Sequence, residues 1–183
     1  MALLGLTVMT TTFVFPNAAT LMPFYAKHVL VIGPGGLGVM MAVSGIGAFL
    51  GAVFLLILPR RFRVAWITTA LVVITLALCA LAWSRRLAFS VTAVAIVSFG
   101  IASTLGVAST MVQESVPDAL RGRVMSLYSL AFTGVAPFAA LAIARLADLI
   151  GMRRELVMAA ILYGVCGAVL IPMLRRTQPE SKD

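Results

Sequence analysis

Polar and aromatic side chains recur at helical spacing within an apolar stretch near the start of the chain. Thr10, Phe13, Asn17, Thr20 and Phe24 follow one another at intervals of three or four residues, so they share one face of a helix. An unsatisfied polar group is costly in hydrocarbon, and such a face should turn toward other helices or a water-filled cavity. Asn17 is the best individual candidate for contact with a ligand.

A second run with the same character lies in the middle of the chain. Phe99, Ser103, Gly106, Thr110 and Gln113 again advance by three or four residues. Two interpretations of both runs stay open. Serine and threonine contacts between helices are common in membrane bundles, and the same faces could instead form the wall of a cavity that binds a small molecule.

Ionisable residues that could perform catalysis are not expected deep within the apolar stretches. The single histidine, His28, lies at the end of the first stretch and is interpreted as an interfacial residue. Cys79 and Cys166 fall inside apolar runs, where they act as small hydrophobic residues. The sequence therefore predicts neither an enzyme nor a metal, cofactor or disulfide site.

Composition identifies the class of protein that carries these runs. The 183 residues are 62% hydrophobic and 11% charged, whereas a soluble domain has roughly 25% charged residues. Six stretches have the length and apolar character of membrane spans: residues 2–26, 36–58, 64–83, 88–112, 124–147 and 156–174. We expect an all-α integral membrane protein, a single domain over residues 1–183 with a polar tail at 175–183.

Basic residues explain the net charge of +8 and predict the orientation. They occur in short clusters between apolar runs, as in membrane loops, which argues against nucleic acid as a partner. With the N-terminus inside, the inner loops and tail hold Arg60, Arg61, Arg63, Arg121, Arg123, Arg175, Arg176 and Lys182, and the outer loops hold Lys27, Arg85, Arg86, Arg153 and Arg154. This bias predicts both termini in the cytoplasm, and we expect the protein in the cytoplasmic (inner) membrane.

An internal repeat relates the two halves of the chain. A shift of 89 residues aligns residues 45–49 with 134–138 and residues 19–22 with 108–111. Spans one to three then correspond to spans four to six, and an odd number of spans inverts the second copy. Inverted three-helix repeats are typical of secondary transporters, although chance similarity between two spans rich in Gly and Ala is the alternative.

Small residues and prolines predict where helices pack or bend. The second span carries Gly45, Gly47 and Gly51, and the fifth carries Gly134 and Pro137 at the matching depth. Small residues let helix backbones approach closely, so a helix-packing role is expected for all five. In the first span, Pro16 and Pro23 predict kinks or breaks that could flank a binding site.

The loop at residues 113–123 is the most specific polar segment and is expected to be cytoplasmic. Ser115 and Asp118 have the spacing of a capping box, which predicts a short helix at the membrane surface. Arg121 and Arg123 precede the fifth span. They are interpreted either as anchors or, together with Asp118, as part of a cytoplasmic gate.

Residues 112–118 and 121–128, followed by Gly134, Pro137 and 146–148 with Gly151, resemble a known pattern. The pattern is that of the loop before the eleventh helix, and of that helix itself, in major-facilitator exporters. The resemblance is greatest to the enterobactin-exporter-like and macrolide-efflux-like branch, the transmembrane secretion effectors. It is specific over about 40 residues.

The resemblance implies helices seven to twelve of a twelve-helix transporter that exports small amphipathic molecules. A proton or other ion would then drive export through a missing N-terminal half, because no coupling acid is expected in this one. The implied partners are the bilayer, the substrate, and an N-terminal half or second copy. The basic loop at residues 59–63 lacks the Gly and Asp of the family's signature loop, so no latch is expected there.

Two other functions remain open at this point. The chain could be a non-transporting membrane scaffold or the remnant of a gene. It could also be a half-size carrier that works as a homodimer.

Thiol labelling tests the orientation. In a variant without Cys79 and Cys166, single cysteines at Arg63 and Gly122 should be shielded from an impermeant reagent in intact cells. A cysteine at Gly35 should react, because its loop faces outward. The reverse pattern contradicts the predicted topology.

Overall fold

The computed structural model describes residues 2–20 and 22–176 as helices joined by short turns. The α-helices are α1 (Ala2–Phe13), α2 (Met22–His28), α3 (Pro34–Ile57), α4 (Arg63–Trp83), α5 (Leu87–Glu114), α6 (Asp118–Ser129), α7 (Ala136–Ile150) and α8 (Met152–Arg176). The predicted polar tail lies, from residue 177 onward, outside the described residues.

Six lengths of helix are long and apolar enough to cross a membrane, and we number them as the first to the sixth span. They are Leu3–His28, Pro34–Ile57, Arg60–Trp83, Leu87–Glu114, Asp118–Ile150 and Met152–Met173. The predicted all-α fold with six spans is thus confirmed. We call the end of the bundle at which the first, third and fifth spans finish the His28 end, and the opposite end the Glu114 end.

Two of the spans are interrupted by π-helical segments. In the first span, Pro16–Thr20 lies between α1 and α2, and in the fifth, Leu130–Gly134 lies between α6 and α7. Pro16 has no N–H to donate to the preceding turn, which explains the break in the first span. The two interruptions are close in space, since the rings of Phe15 and Phe132 meet edge to face at 5.5 Å.

The contacts between helices follow the repeat. If each of the first three spans is replaced by its equivalent among the last three, and the reverse, the same pairs of helices are in contact. α3 packs along α5, and the counterpart contact joins α1 and α7. α4 packs against α5, and its counterpart α8 packs against α1. α4 and α8, which begin 89 residues apart, are equivalent helices of the two repeats, and they contact each other. The fold is therefore two inverted three-helix repeats, with the α4–α8 contact on the pseudo-symmetry axis.

Glycines bring α3 and α5 into close contact. A Cβ added at Gly47 would collide with the backbone of Ala95, and one added at Gly51 would lie 2.5 Å from the carbonyl oxygen of Phe99. Gly45, in contrast, has no atom within 4 Å of that position, so it does not bring two helices of this bundle together.

The two small residues expected to pack the fifth span have a local role instead. A Cβ at Gly134 would meet only the side chain of Leu130, from the same π-helical segment. Pro137 lies in the first turn of α7, where its missing N–H costs no intrahelical hydrogen bond. Both residues thus belong to the interruption of the fifth span.

The loop between the fourth and fifth spans differs from its prediction. The Ser115 hydroxyl donates to the carbonyl oxygen of Met111 at 2.6 Å, so it closes the end of α5 and does not cap α6. Pro117 precedes α6 without a side-chain cap, and α6 continues directly into the fifth span. The expected separate surface helix is therefore wrong: a proline directly before Asp118 starts the span itself.

Substitution of Gly47 by Ala tests the close contact between α3 and α5. The added methyl group must push against α5 backbone, and overpacking of this kind typically costs about 1–3 kcal/mol. The variant should unfold at lower temperature in detergent, followed by circular dichroism. Gly45→Ala is the matched control, because it gains the same helix propensity in open space. Equal stability of the two variants would contradict the packing.

Candidate functional site

A buried carboxyl group links the first and sixth spans. Glu155 is 1% exposed, and its Oε1 accepts a hydrogen bond of 3.2 Å from Nδ2 of Asn17, which is 3% exposed. The same amide group also donates to the carbonyl oxygen of Phe13 at 3.1 Å. Asn17 belongs to the π-helical segment of the first span, so the carboxyl group contacts the chain at its interruption.

The position of Glu155 corrects the expectation that no acid lies within a span. The sequence Arg153-Arg154-Glu155 after a glycine has the composition of a loop, and the sixth span was expected to begin at residue 156. In the structure α8 begins at Met152, and Glu155 is enclosed in its first turn. The four-residue spacing of Glu155, Ala159 and Tyr163 could have predicted that Glu155 shares a helix face with the other two. All three side chains are buried.

A second polar contact continues the interface between α1 and α8. The hydroxyl groups of Thr10 and Tyr163 lie 3.3 Å apart and are fully buried. Thr10 precedes Asn17 by two helical turns, and Tyr163 follows Glu155 by two. The two contacts therefore form a buried polar seam along one helix pair.

Two acceptor atoms of the seam have no hydrogen-bond donor among the described residues. They are Oε2 of Glu155 and Oδ1 of Asn17. The second carboxyl oxygen can take up a proton, and carboxylate and amide oxygens are both ligands for small cations. The arrangement is thus suited to binding positive charge.

A pocket of about 530 Å³ opens at the His28 end next to this seam. Its lining includes Met152, Arg153 and Arg154, the residues that directly precede Glu155 in α8. Phe24, from the first span, also lines it and stacks on the ring of His28 at 4.2 Å. The seam therefore begins about one helical turn from this pocket, on the side toward the middle of the bundle.

The other residues of the first polar run have different surroundings. Phe13 is half-buried and packs against the core. Thr20 is part of the π-helical segment, but its side chain lies outside the described residues. Of this run, Thr10 and Asn17 contact polar side chains of α8, and Phe24 lines the pocket at the start of that helix.

The residues of the second polar run make hydrogen bonds within α5 and ring contacts with aromatic side chains of α3 and α4. Phe99 packs against Phe54 and Trp66, with ring centroids 5.7 and 5.8 Å away. Ser103 is fully buried and donates to its own helix at the Gly100 carbonyl oxygen.

The last two residues of that run also bond within α5. Thr110 donates to the Gly106 carbonyl oxygen at 2.9 Å, and Gln113 donates to the Ser109 hydroxyl at 3.1 Å. Contact of these residues with a substrate stays a prediction.

The repeat places different chemistry at equivalent positions. Glu155 follows Trp66 by 89 residues, and Phe99 follows Thr10 by the same interval. The contacts between the two repeats therefore include an aromatic cluster of Trp66, Phe99 and Phe54 at one place and the polar seam at the equivalent place. Because the repeats are inverted, the carboxyl group lies toward the His28 end and the aromatic cluster toward the Glu114 end.

Ion pairs connect elements at the Glu114 end. Glu114, the last residue of α5, pairs with Arg63 at 2.7 Å and with Arg60 at 3.2 Å. These arginines belong to the start of α4 and the turn before it, so one carboxylate holds the fourth span to the third. Glu114 was not among the predicted site residues, although the basic loop at residues 59–63 is evident in the sequence.

The residues expected to form a gate have a more local arrangement. Asp118 pairs with Arg121 at 2.6 Å, and both lie in the first turn of α6. An ion pair within one helix cannot by itself hold two helices together. Arg123 is exposed on the same helix. A gating role for these three residues stays a prediction.

Comparison with known proteins agrees with this architecture. No protein of curated function matches the chain. The family model described as Major Facilitator Superfamily matches residues 1–183, a range that includes all six spans. The chain is therefore a multi-pass membrane protein that belongs to the major facilitator superfamily of transporters.

Proposed function

We propose that the chain exports small amphipathic molecules across the cytoplasmic membrane, driven by an ion that binds at Glu155 and Asn17. The observation that carries the proposal is the buried carboxyl group, hydrogen-bonded at the interruption of the first span. Export follows from the resemblance of residues 112–128 to the secretion-effector branch. Both termini would be cytoplasmic, in accord with the basic loops.

Ion coupling needs a group that can bind and release charge in a sheltered position. Glu155 has one oxygen bonded to Asn17 and one without a donor, and the pocket at the His28 end leads to its helical turn. This replaces the earlier expectation that the coupling acid lies in another six-helix unit.

The surroundings of the carboxyl group connect its charge to helix movement. Addition of a proton removes the charge that the Asn17 amide stabilises, so the hydrogen bond between α8 and the first span weakens. The π-helical segment that carries Asn17 lacks the regular hydrogen-bond pattern and can bend at low cost. Proton binding would thus release the first span from α8.

Exposed apolar faces support a second six-helix unit as partner. Phe49 on α3 is 67% exposed and Phe138 on α7 is 74% exposed, and the two are equivalent in the repeat. In the superfamily the substrate path lies between two six-helix units that rock against each other. We propose that these two faces border that path, with the partner supplied by an N-terminal half or by a second copy.

The ion pairs of Glu114 are proposed to stabilise the state that is closed toward the cytoplasm. They join the third and fourth spans at the end where Thr110 and Gln113 lie. The exposed pair with Arg60 contributes only about 0–1 kcal/mol, and the pair with Arg63 is more enclosed, with that side chain 12% exposed. That magnitude suits a gate, since it changes the balance of two conformations without deciding whether the protein folds.

Replacement of Glu155 by Gln tests the coupling site. Gln keeps the shape and can still bond to Asn17, but it cannot take up a proton. In liposomes containing the assembled transporter, efflux of a fluorescent amphipathic substrate should become independent of the proton gradient. A parallel measurement with a sodium gradient identifies the ion.

The control for this variant is Asp148→Asn, which removes an exposed carboxyl group that lines the same pocket. It should retain gradient-driven efflux. Gradient dependence that survives in Glu155→Gln would place the coupling site elsewhere.

Replacement of Glu114 by Gln tests the proposed gate. Loss of about 1 kcal/mol shifts the population of two conformations roughly fivefold. A single cysteine at Thr110 should therefore react several-fold faster with a thiol reagent applied from the cytoplasmic side. Asp118→Asn should leave this rate unchanged, because its ion pair lies within α6. Equal rates in both variants would remove Glu114 from the gate.

A further inference from the structure

We infer that the His28 end carries a binding site for an anionic phospholipid, centred on Trp83. Trp83 is the last residue of α4 and is 72% exposed. Two apolar grooves meet at this side chain, one between α4 and α5 and one between α4 and α8. An arginine pair lies at the membrane-surface end of each groove.

The groove between α4 and α5 has a volume of about 540 Å³. Its apolar part includes Phe89 and Ile96, and Arg85 and Arg86 lie where it reaches the His28 end. Phe89 and Ile96 are two turns apart on α5, so the groove extends about 10 Å along the helix. That length covers most of the hydrocarbon of one leaflet, which is about 15 Å thick.

The groove between α4 and α8 has a volume of about 480 Å³ and a similar design. Arg153 and Arg154 lie where it reaches the His28 end, and Ile161 and Leu162 line it two helical turns further along α8. An acyl chain can follow either groove while its phosphate reaches the arginines. A tryptophan between them suits this depth, because its indole ring is apolar and its N–H can bond to a headgroup.

Charge complementarity identifies an anionic lipid as the occupant. Among the described residues, no carboxylate pairs with Arg85, Arg86, Arg153 or Arg154. Asp148 lines the neighbouring pocket with two of them but is not within ion-pairing distance. At the opposite end, by contrast, Glu114 and Asp118 neutralise arginines. Four unpaired guanidinium groups around two acyl-chain grooves thus favour a phosphate headgroup with net negative charge.

Fluorescence of Trp83 provides a direct test. The variant Trp66→Phe leaves Trp83 as the single tryptophan and keeps an aromatic ring beside Phe54. The full chain would be reconstituted in bilayers that contain either brominated phosphatidylglycerol or brominated phosphatidylcholine at equal mole fraction. Bromine quenches tryptophan on contact, so phosphatidylglycerol should quench Trp83 more strongly, and the difference should decrease in high salt.

Two double variants in the same background remove the charge from each groove: Arg85→Gln with Arg86→Gln, and Arg153→Gln with Arg154→Gln. Each should lower the preference for phosphatidylglycerol by about fivefold to 25-fold, since one arginine near an anionic surface contributes about a fivefold preference and each variant removes two. Arg61→Gln with Arg123→Gln removes equal charge at the opposite end and should keep the preference. Unchanged helicity by circular dichroism shows that a variant is folded.

Equal quenching by the two lipids in the Trp66→Phe protein would overturn the site. A loss of preference as large in the opposite-end control would also overturn it, since the effect would then be one of net charge.

Discussion

The hydrocarbon interior of the membrane offers no hydrogen-bond partner, and this constraint governs the whole structure. Each peptide group within it must be satisfied in its own helix, which leaves a bundle of helices as the available fold. Lipid tails are as apolar as leucine, so apolar area alone does not hold the helices together. Close approach of backbones and contacts between polar side chains have to do so.

Two equivalent helix pairs, each joining one repeat to the other, meet this requirement in different ways. α3 and α5 are uninterrupted and approach each other at Gly47 and Gly51, where backbone lies against backbone. Their counterparts, the fifth and first spans, both contain a π-helical segment, and the first is held to α8 by Asn17 and Glu155. One helix pair is thus tightly packed and continuous, whereas the other is interrupted and held by a polar contact. The same topology combines a stiff part and a deformable part.

The sequence predicted the features that depend on long apolar runs and on periodicity. Spans, inverted repeats and the breaks near Pro16 follow from local patterns, because the membrane requires about 20 apolar residues for each crossing. Glu155 was not predicted because its neighbours Arg153 and Arg154 have the composition of a surface loop, whereas its own side chain is buried. Which way one residue of a helical turn points is decided by tertiary packing. The partners of Glu114 depend equally on which loops meet at one end of the bundle.

The exchange of Trp66 for Glu155 between the repeats bears on how such a protein distinguishes the two sides of a membrane. Two identical inverted repeats would be related by a two-fold axis in the membrane plane, and that operation turns inside into outside. A fully symmetric domain would therefore respond in the same way to equal conditions on either side. Vectorial behaviour must originate at positions where the repeats differ. An aromatic ring at one such position and a carboxyl group at its equivalent give the domain a chemical polarity that its fold lacks.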